Sequence, residues 1–208
     1  FALKDVYVGT GVTSIGSDAF YSLSGLERVY ITDLAAWCGI DFGNALSNPL
    51  YCAGSLYLNG ELVTALVLPS EVSSVSPYAF CGGYFRSLVI PEGVTEIGAQ
   101  AFADCMKLVS VDVGADVVTI DGGAFGDCIM LVEVINRSAL PIEAGADTYG
   151  GIAYYAETVS TGDRVLVSVG DYLFYTNAEG KHILMAYVGD DSDLVLPASF
   201  NGETYEIP

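Results

Sequence analysis

The chain has 208 residues, 52% of them hydrophobic, with 7 Lys and Arg against 26 Asp and Glu and a formal net charge of −19. The length supports one or two domains with a sizeable core. The scarcity of basic residues argues against nucleic acid, whose binding rests on Lys and Arg neutralising phosphates, and against an anionic membrane surface.

The 24 Gly and 14 Tyr suit a β-rich fold with many tight turns. No run approaches the roughly 18 uninterrupted apolar residues of a membrane span. Near the N-terminus the chain reads VTSIGSDAF, ending on Phe20. The phrase returns as VTEIGAQAFADC at 94–105 and VTIDGGAFGDC at 118–128. Such internal repetition is the first thing to read in a sequence.

Phe20, Phe80, Phe102 and Phe125 anchor four copies. Five residues before each stand Ile15, Val75, Ile97 and Ile120; eight before, Val12, Val72, Val94 and Val117. Twelve before are Val8, Leu68, Ile90 and Val113; fourteen before, Val6, Leu66, Leu88 and Val111; seventeen before, Leu3, Val63, Phe85 and Leu108. Every position is apolar. Ala19, Ala79, Ala101 and Ala124 directly precede each Phe, so something packs closely there. Gly9, Pro69, Pro91 and Gly114 stop the strand before them, Pro by lacking a donor and Gly by bending freely. Each copy is predicted to be a strand, a turn and a short helical or extended return, with Val111 and Val113 on one face of their strand.

One such copy cannot bury its apolar row alone, whereas stacked copies cover one another. The expectation is a solenoid whose equivalent strands form a parallel sheet at about 4.8 Å spacing. Phe20, Phe80, Phe102 and Phe125 form an interior ladder, and Cys105 and Cys128 stack beside it as buried thiols. Parallel Cβ vectors disfavour a disulfide between those two.

The period breaks twice. In 32–62 no ladder Phe comes. Asp33 is positioned to cap a short helix through Cys38, and Asn59-Gly60 between apolar runs signals a hairpin. Trp37 either fills this insertion's own core or anchors a partner. Whether Cys38 and Cys52 pair is open. The second break, 136–193, reads as β-rich, with TNAEGK as a hairpin turn. It is an elaboration of the solenoid or a small subdomain within the single 1–208 unit. LVLP at 194–197 repeats LVLP at 66–69, so a new strand is expected there.

The segments L-x-x-V-x-(I/V)-P/G-x-x-V-T-x-I-G-x-x-A-F-x-x-C-x-x-L resemble the BspA-like class of bacterial leucine-rich repeats over residues 1–31 and 63–135, and weakly over 194–208. With that resemblance the fold class is a leucine-rich-repeat solenoid (α/β, β-rich), a parallel sheet of repeats about 23 residues long with β-hairpin insertions. The resemblance implies a large secreted or surface-anchored bacterial protein involved in adhesion and in binding host or matrix proteins. The family motif carries no catalytic residues, so no enzyme and no cofactor are expected.

The residues add little chemistry of their own. His182 is the one histidine, expected exposed on a hairpin strand, with no nucleophile motif near it. No C-x-x-C occurs, which disfavours zinc. Asp190, Asp191 and Asp193 lack the spacing of a calcium loop and read as a solvated turn. Asp104 and Asp127, each two residues after a ladder Phe, are expected to stack at the coil edge. The aromatic cluster Tyr149, Tyr154, Tyr155, Tyr172, Phe174, Tyr175 and Tyr187 is the best candidate for contacting a protein or glycan ligand, together with Trp37. Alternation places Tyr172 and Phe174 on one strand face, opposite Tyr175. The chain starts at Phe1 without a signal peptide and lacks polar end caps, so it is expected to be part of a longer array or to associate end to end. The functional expectation is a non-enzymatic binding or adhesion module at the cell surface, or else a passive spacer.

Overall fold

The computed structural model describes residues 3–162, 165–177, 179–189 and 193–207. The chain forms two compact units, Phe1–Thr161 and Gly162–Pro208. The first is the solenoid. Its strands Ala65–Val67, Ser87–Ile90, Ser110–Val113, Glu133–Asn136 and Thr158–Ser160 make one parallel sheet. Leu66, Leu88, Val111, Val134 and Val159 stand in register across it. These are the core slots fourteen residues before each Phe, extended by two coils. A second parallel row runs through Ser74–Val75, Glu96–Ile97 and Thr119–Ile120, aligning Val75, Ile97 and Ile120.

The corner bearing Ala-Phe is built from tight turns, where a helical turn had been one expected form. Two residues per corner have positive φ, one two places before the Phe and one two places after. They are Asp18 and Ser22, Tyr78 and Gly82, Gln100 and Asp104, and Gly123 and Asp127. This reversal of the chain on both sides of Ala-Phe turns the Phe inward and keeps the corner flat enough to stack. Coils then bond corner to corner: Phe80 N–H donates to Ala101 O at 2.7 Å, and Phe102 N–H to Ala124 O at 2.7 Å. Ala79, Ala101 and Ala124 are fully buried in this close approach.

Phe80, Phe102 and Phe125 stack at 5.2 Å between centroids, with interplanar angles of 4° and 12°. Phe20 lies outside this stack and is only half-buried. A whole coil separates it from Phe80, and that coil has no Phe at the equivalent corner: Phe20 N–H donates to Leu46 O, which puts Ser47 in the Phe position. Cys105 and Cys128 stack as expected, their thiols donating to Phe80 O at 3.3 Å and Phe102 O at 3.2 Å. Cys52 makes the same type of contact to Phe20 O at 3.5 Å. All five cysteines, Cys38 and Cys52 included, are free thiols.

The 32–62 break contains the expected short helix, Leu34–Cys38, with Asp33 Oδ1 accepting from Ala36 N–H, and the expected hairpin of Ser55–Leu58 with Glu61–Leu62. It is nonetheless a coil of the solenoid and not an excursion from it. Ser55–Leu58 pairs in parallel register with Arg28–Ile31, which pairs with Asp5–Tyr7. Asp41–Phe42 likewise pairs with Ser14–Ile15. The sheet of Asp5–Tyr7, Arg28–Ile31 and Ser55–Leu58 ends at Glu61–Leu62, and the five-stranded sheet is separate from it.

The 136–193 boundaries also differ from the expected ones. Residues up to Thr161 complete another coil, whose Thr158–Ser160 strand pairs with Glu133–Asn136. The second unit consists of Val167–Val169, Tyr172–Thr176 and His182–Tyr187, joined antiparallel, plus Tyr205–Glu206 parallel to His182 and Ile183. Its core is Phe174, Leu184 and Phe200 with Tyr172 and Tyr205 against it. Tyr172 and Phe174 share the face that meets this core, as expected; the register shift beside Leu173 and Phe174 places its extra residue, Met185, on the partner strand. Residues 194–197 form no strand and are mostly exposed; the strand partner of this unit's sheet is Tyr205–Glu206 instead.

Candidate ligand-binding site

Of the expected contact residues, Trp37 is removed by its burial: it is 1% exposed. Its indole N–H donates to Ala79 O at 2.8 Å, and Asn48 Nδ2 donates to the same oxygen at 3.0 Å. In a regular coil a backbone N–H bonds this carbonyl from the neighbouring corner. The irregular coil supplies two side-chain donors in its place, so Trp37 is a structural wedge beside Phe42.

The tyrosines divide between the units. Tyr172, Tyr175 and Tyr187 are half-buried in the second unit. The Tyr172 hydroxyl donates to Val195 O, and its ring lies 5.1 Å from Tyr187. Tyr149 is half-buried in the solenoid. Tyr154 and Tyr155 are 50% and 37% exposed, with rings edge-to-face at 4.8 Å and 82°.

These two rings line a cavity of about 200 Å³ together with Gly123, Phe125, Gly126, Asp127, Asp147, Gly150 and Gly151. The cavity exists because this coil carries Gly150-Gly151 where regular corners carry Ala-Phe. Phe125 N–H donates to Gly150 O at 2.8 Å, which fixes the register. A Cβ on Gly150 would sit 2.4 Å from Asp121 O, so the chain approaches the neighbouring coil more closely than an Ala allows. A Cβ on Gly151 would meet only Asp147 Oδ1, at 3.6 Å. The site therefore has a backbone floor, aromatic walls and two carboxylates.

The expected Asp104–Asp127 stack is at the same corner row. Burial first, and then the Asp127 charge, raise the Asp104 carboxyl above its ordinary value. Asp190 and Asp191 lie outside the described residues; Asp193 is exposed. Among the described residues, no group of three or more His, Cys, Asp or Glu is placed to hold a metal. His182 is more enclosed than expected, its side chain 14% exposed. Its Nδ1 shares a hydrogen bond with Thr176 Oγ1 at 2.8 Å, and its ring meets Phe200 edge-to-face. Burial pushes the Cys38 and Cys81 thiols up to about 12 and raises Cys105 as well.

A second aromatic feature escapes a search for apolar slots. Tyr7, Tyr30 and Tyr57 stand in register on the outward face of the first sheet, with centroids 4.6 and 4.8 Å apart. Beside them Arg28 grips Asp5 through Nε at 2.6 Å and Nη2 at 3.2 Å, which holds the Asp5 carboxyl below its ordinary value. The signal was a Tyr midway between two core slots in DVYV, RVYI and SLYL.

Parallel coils that repeat an inward Phe and an outward-turned corner define a leucine-rich-repeat solenoid. Residues 55–146 match the model for the BspA type leucine rich repeat region, in six copies. Among solved structures, the chain is similar to a leucine-rich repeat protein from Bacteroides ovatus at 23% identity, covering 63% of this chain and 39% of that one, with a TM-score of 0.43. One from Eubacterium ventriosum is 17% identical over 76% of this chain and 54% of that one, with a TM-score of 0.42. A leucine rich cell surface protein from Faecalibacterium prausnitzii is 16% identical over 78% and 61%, with a TM-score of 0.34. The chain thus spans less than two thirds of the length of each. No curated protein matches. Among the described residues, no helix is long and apolar enough to cross a membrane.

Proposed function

We propose that this chain is a non-enzymatic binding module of a bacterial surface protein, acting outside the cell on a protein or glycan. The observation that carries the reading is the exposure of Tyr154 and Tyr155 at the mouth of a cavity. A passive spacer would gain stability by burying such rings, since each offers large apolar area. The enzyme alternative lacks support in the one histidine, which is engaged by Thr176 and Phe200. It also lacks support in the thiols, whose raised pKa values are the reverse of what a nucleophilic thiolate needs. The repeat match supports this reading.

The test is a screen of the intact chain against immobilised host matrix proteins and glycans, run beside a Tyr154→Ala/Tyr155→Ala variant. The expected result is at least one ligand whose affinity falls about tenfold or more in the variant, as for paired aromatic anchors. No ligand for the intact chain would support the spacer reading.

A further inference from the structure

The cavity at Tyr154 and Tyr155 has a chemistry narrower than "protein or glycan". We infer that it receives the cationic end of a lysine or arginine side chain presented by a protein partner. This rests on the binding reading above and specifies its ligand.

The charged side chains of the lining are acceptors only. Asp127 and Asp147 bring two carboxylates, and Tyr154 and Tyr155 bring two aromatic rings. Neither aspartate makes an ion pair among the described residues. Four backbone donors of the lining are engaged: Phe125 N–H bonds Gly150 O at 2.8 Å, Gly126 N–H bonds Gly123 O at 2.9 Å, Gly151 N–H bonds Thr148 O at 3.0 Å, and Tyr154 N–H bonds Gly151 O at 3.1 Å. A neutral sugar, whose hydroxyls both donate and accept, would find only the tyrosine hydroxyls among the side chains as donors. An ammonium or guanidinium group only donates, and it is drawn both to carboxylates and to aromatic faces.

Charge leads to the same occupant. The sequence holds one basic residue between Lys107 and Arg164, which is Arg137. That guanidinium is held on Asp112 at 2.8 and 3.0 Å. No basic side chain lines the cavity to compete with an incoming one. The net charge of −19 adds a field that draws basic partners toward the surface. The volume of about 200 Å³ suits one side-chain terminus and not a folded element. The glycines keep it open, because any side chain at 150 collides with Asp121 O and Ala124.

The experiment titrates the whole chain with acetyl-Gly-Lys-Gly-amide, its Arg counterpart, its Gln counterpart and neutral methyl glycosides, reading the ring resonances of Tyr154 and Tyr155. The expected result is saturable shifts with Lys and Arg only. Asp127→Asn and Asp147→Asn each weaken binding about threefold, and raising salt weakens it further. Equal shifts with the Gln peptide, or Lys binding untouched by both Asn substitutions, overturn the inference. The two readings fail separately. A ligand from the surface screen that needs the tyrosines but ignores salt and the Asn substitutions leaves a binding module and removes the cation. A screen with no tyrosine-dependent ligand removes the binding reading itself. All four positions are exposed, so circular dichroism is sufficient to confirm that each variant folds.

Discussion

Phe102 is clamped between Phe80 and Phe125, each 5.2 Å away and nearly parallel. Truncating it removes contacts on both faces, and the flanking corners are tied by backbone hydrogen bonds that limit collapse. Phe102→Ala is expected to cost about 3–5 kcal/mol in urea unfolding, whereas Phe20→Ala, at a half-buried site, costs clearly less. The thiols give a pH prediction. Folded Cys38 and Cys81 keep their protons to about pH 12, against 9.0 for an ordinary thiol. As pH rises the unfolded chain releases its protons first. Stability is therefore intact below about pH 9 and falls between about 9 and 12. Denaturation midpoints across that range check the sign, and Cys38→Ala should flatten the fall. Iodoacetamide at pH 8 should modify half-buried Cys52 before the four buried thiols.

The irregular coil at 32–62 was legible as local elements and illegible as a rung. Asp33 and Asn59-Gly60 are local signals, and each is where it was expected. Register with Arg28–Ile31 is a long-range property: Leu56 stands 27 positions after its partner Val29, whereas Val29 stands 23 after Val6. The added residues supply Trp37 and Asn48, which replace the missing backbone donor at Ala79 O. Trp37→Phe keeps the wedge but removes one donor and is expected to cost about 1 kcal/mol. Combining it with Asn48→Ala leaves a buried carbonyl with neither donor, so the double variant should lose more than the sum of the singles in urea titrations. The corner turns show the same division. Asp and Gly at the positive-φ sites are ordinary turn residues, but Tyr78 and Gln100 share that conformation because stacked corners impose it.

The two units differ in how much core each has. The solenoid core runs through coil after coil from Leu26 to Ala156, whereas the second unit centres on Phe174, Leu184 and Phe200. Opening free energies follow buried apolar contact. Amides in Tyr172–Thr176 and His182–Tyr187 should therefore exchange with deuterium well before those in Ser110–Val113. Equal protection in both would mean that the chain unfolds as one cooperative body.

The sequence by itself determined the repeat, its parallel stacking, the buried thiols and the Phe80–Phe102–Phe125 ladder. Each is a property of one copy multiplied by a fixed period, and a copy's apolar slots can be read without knowing its neighbours. Only the tertiary structure decided that 32–62 is a coil, that Trp37 faces inward, that the solenoid extends to Thr161, and that Tyr154 and Tyr155 frame a carboxylate-lined cavity. Those depend on which backbone donor or side chain is missing at a contact between coils. A missing partner becomes visible only when the neighbouring coil is in place.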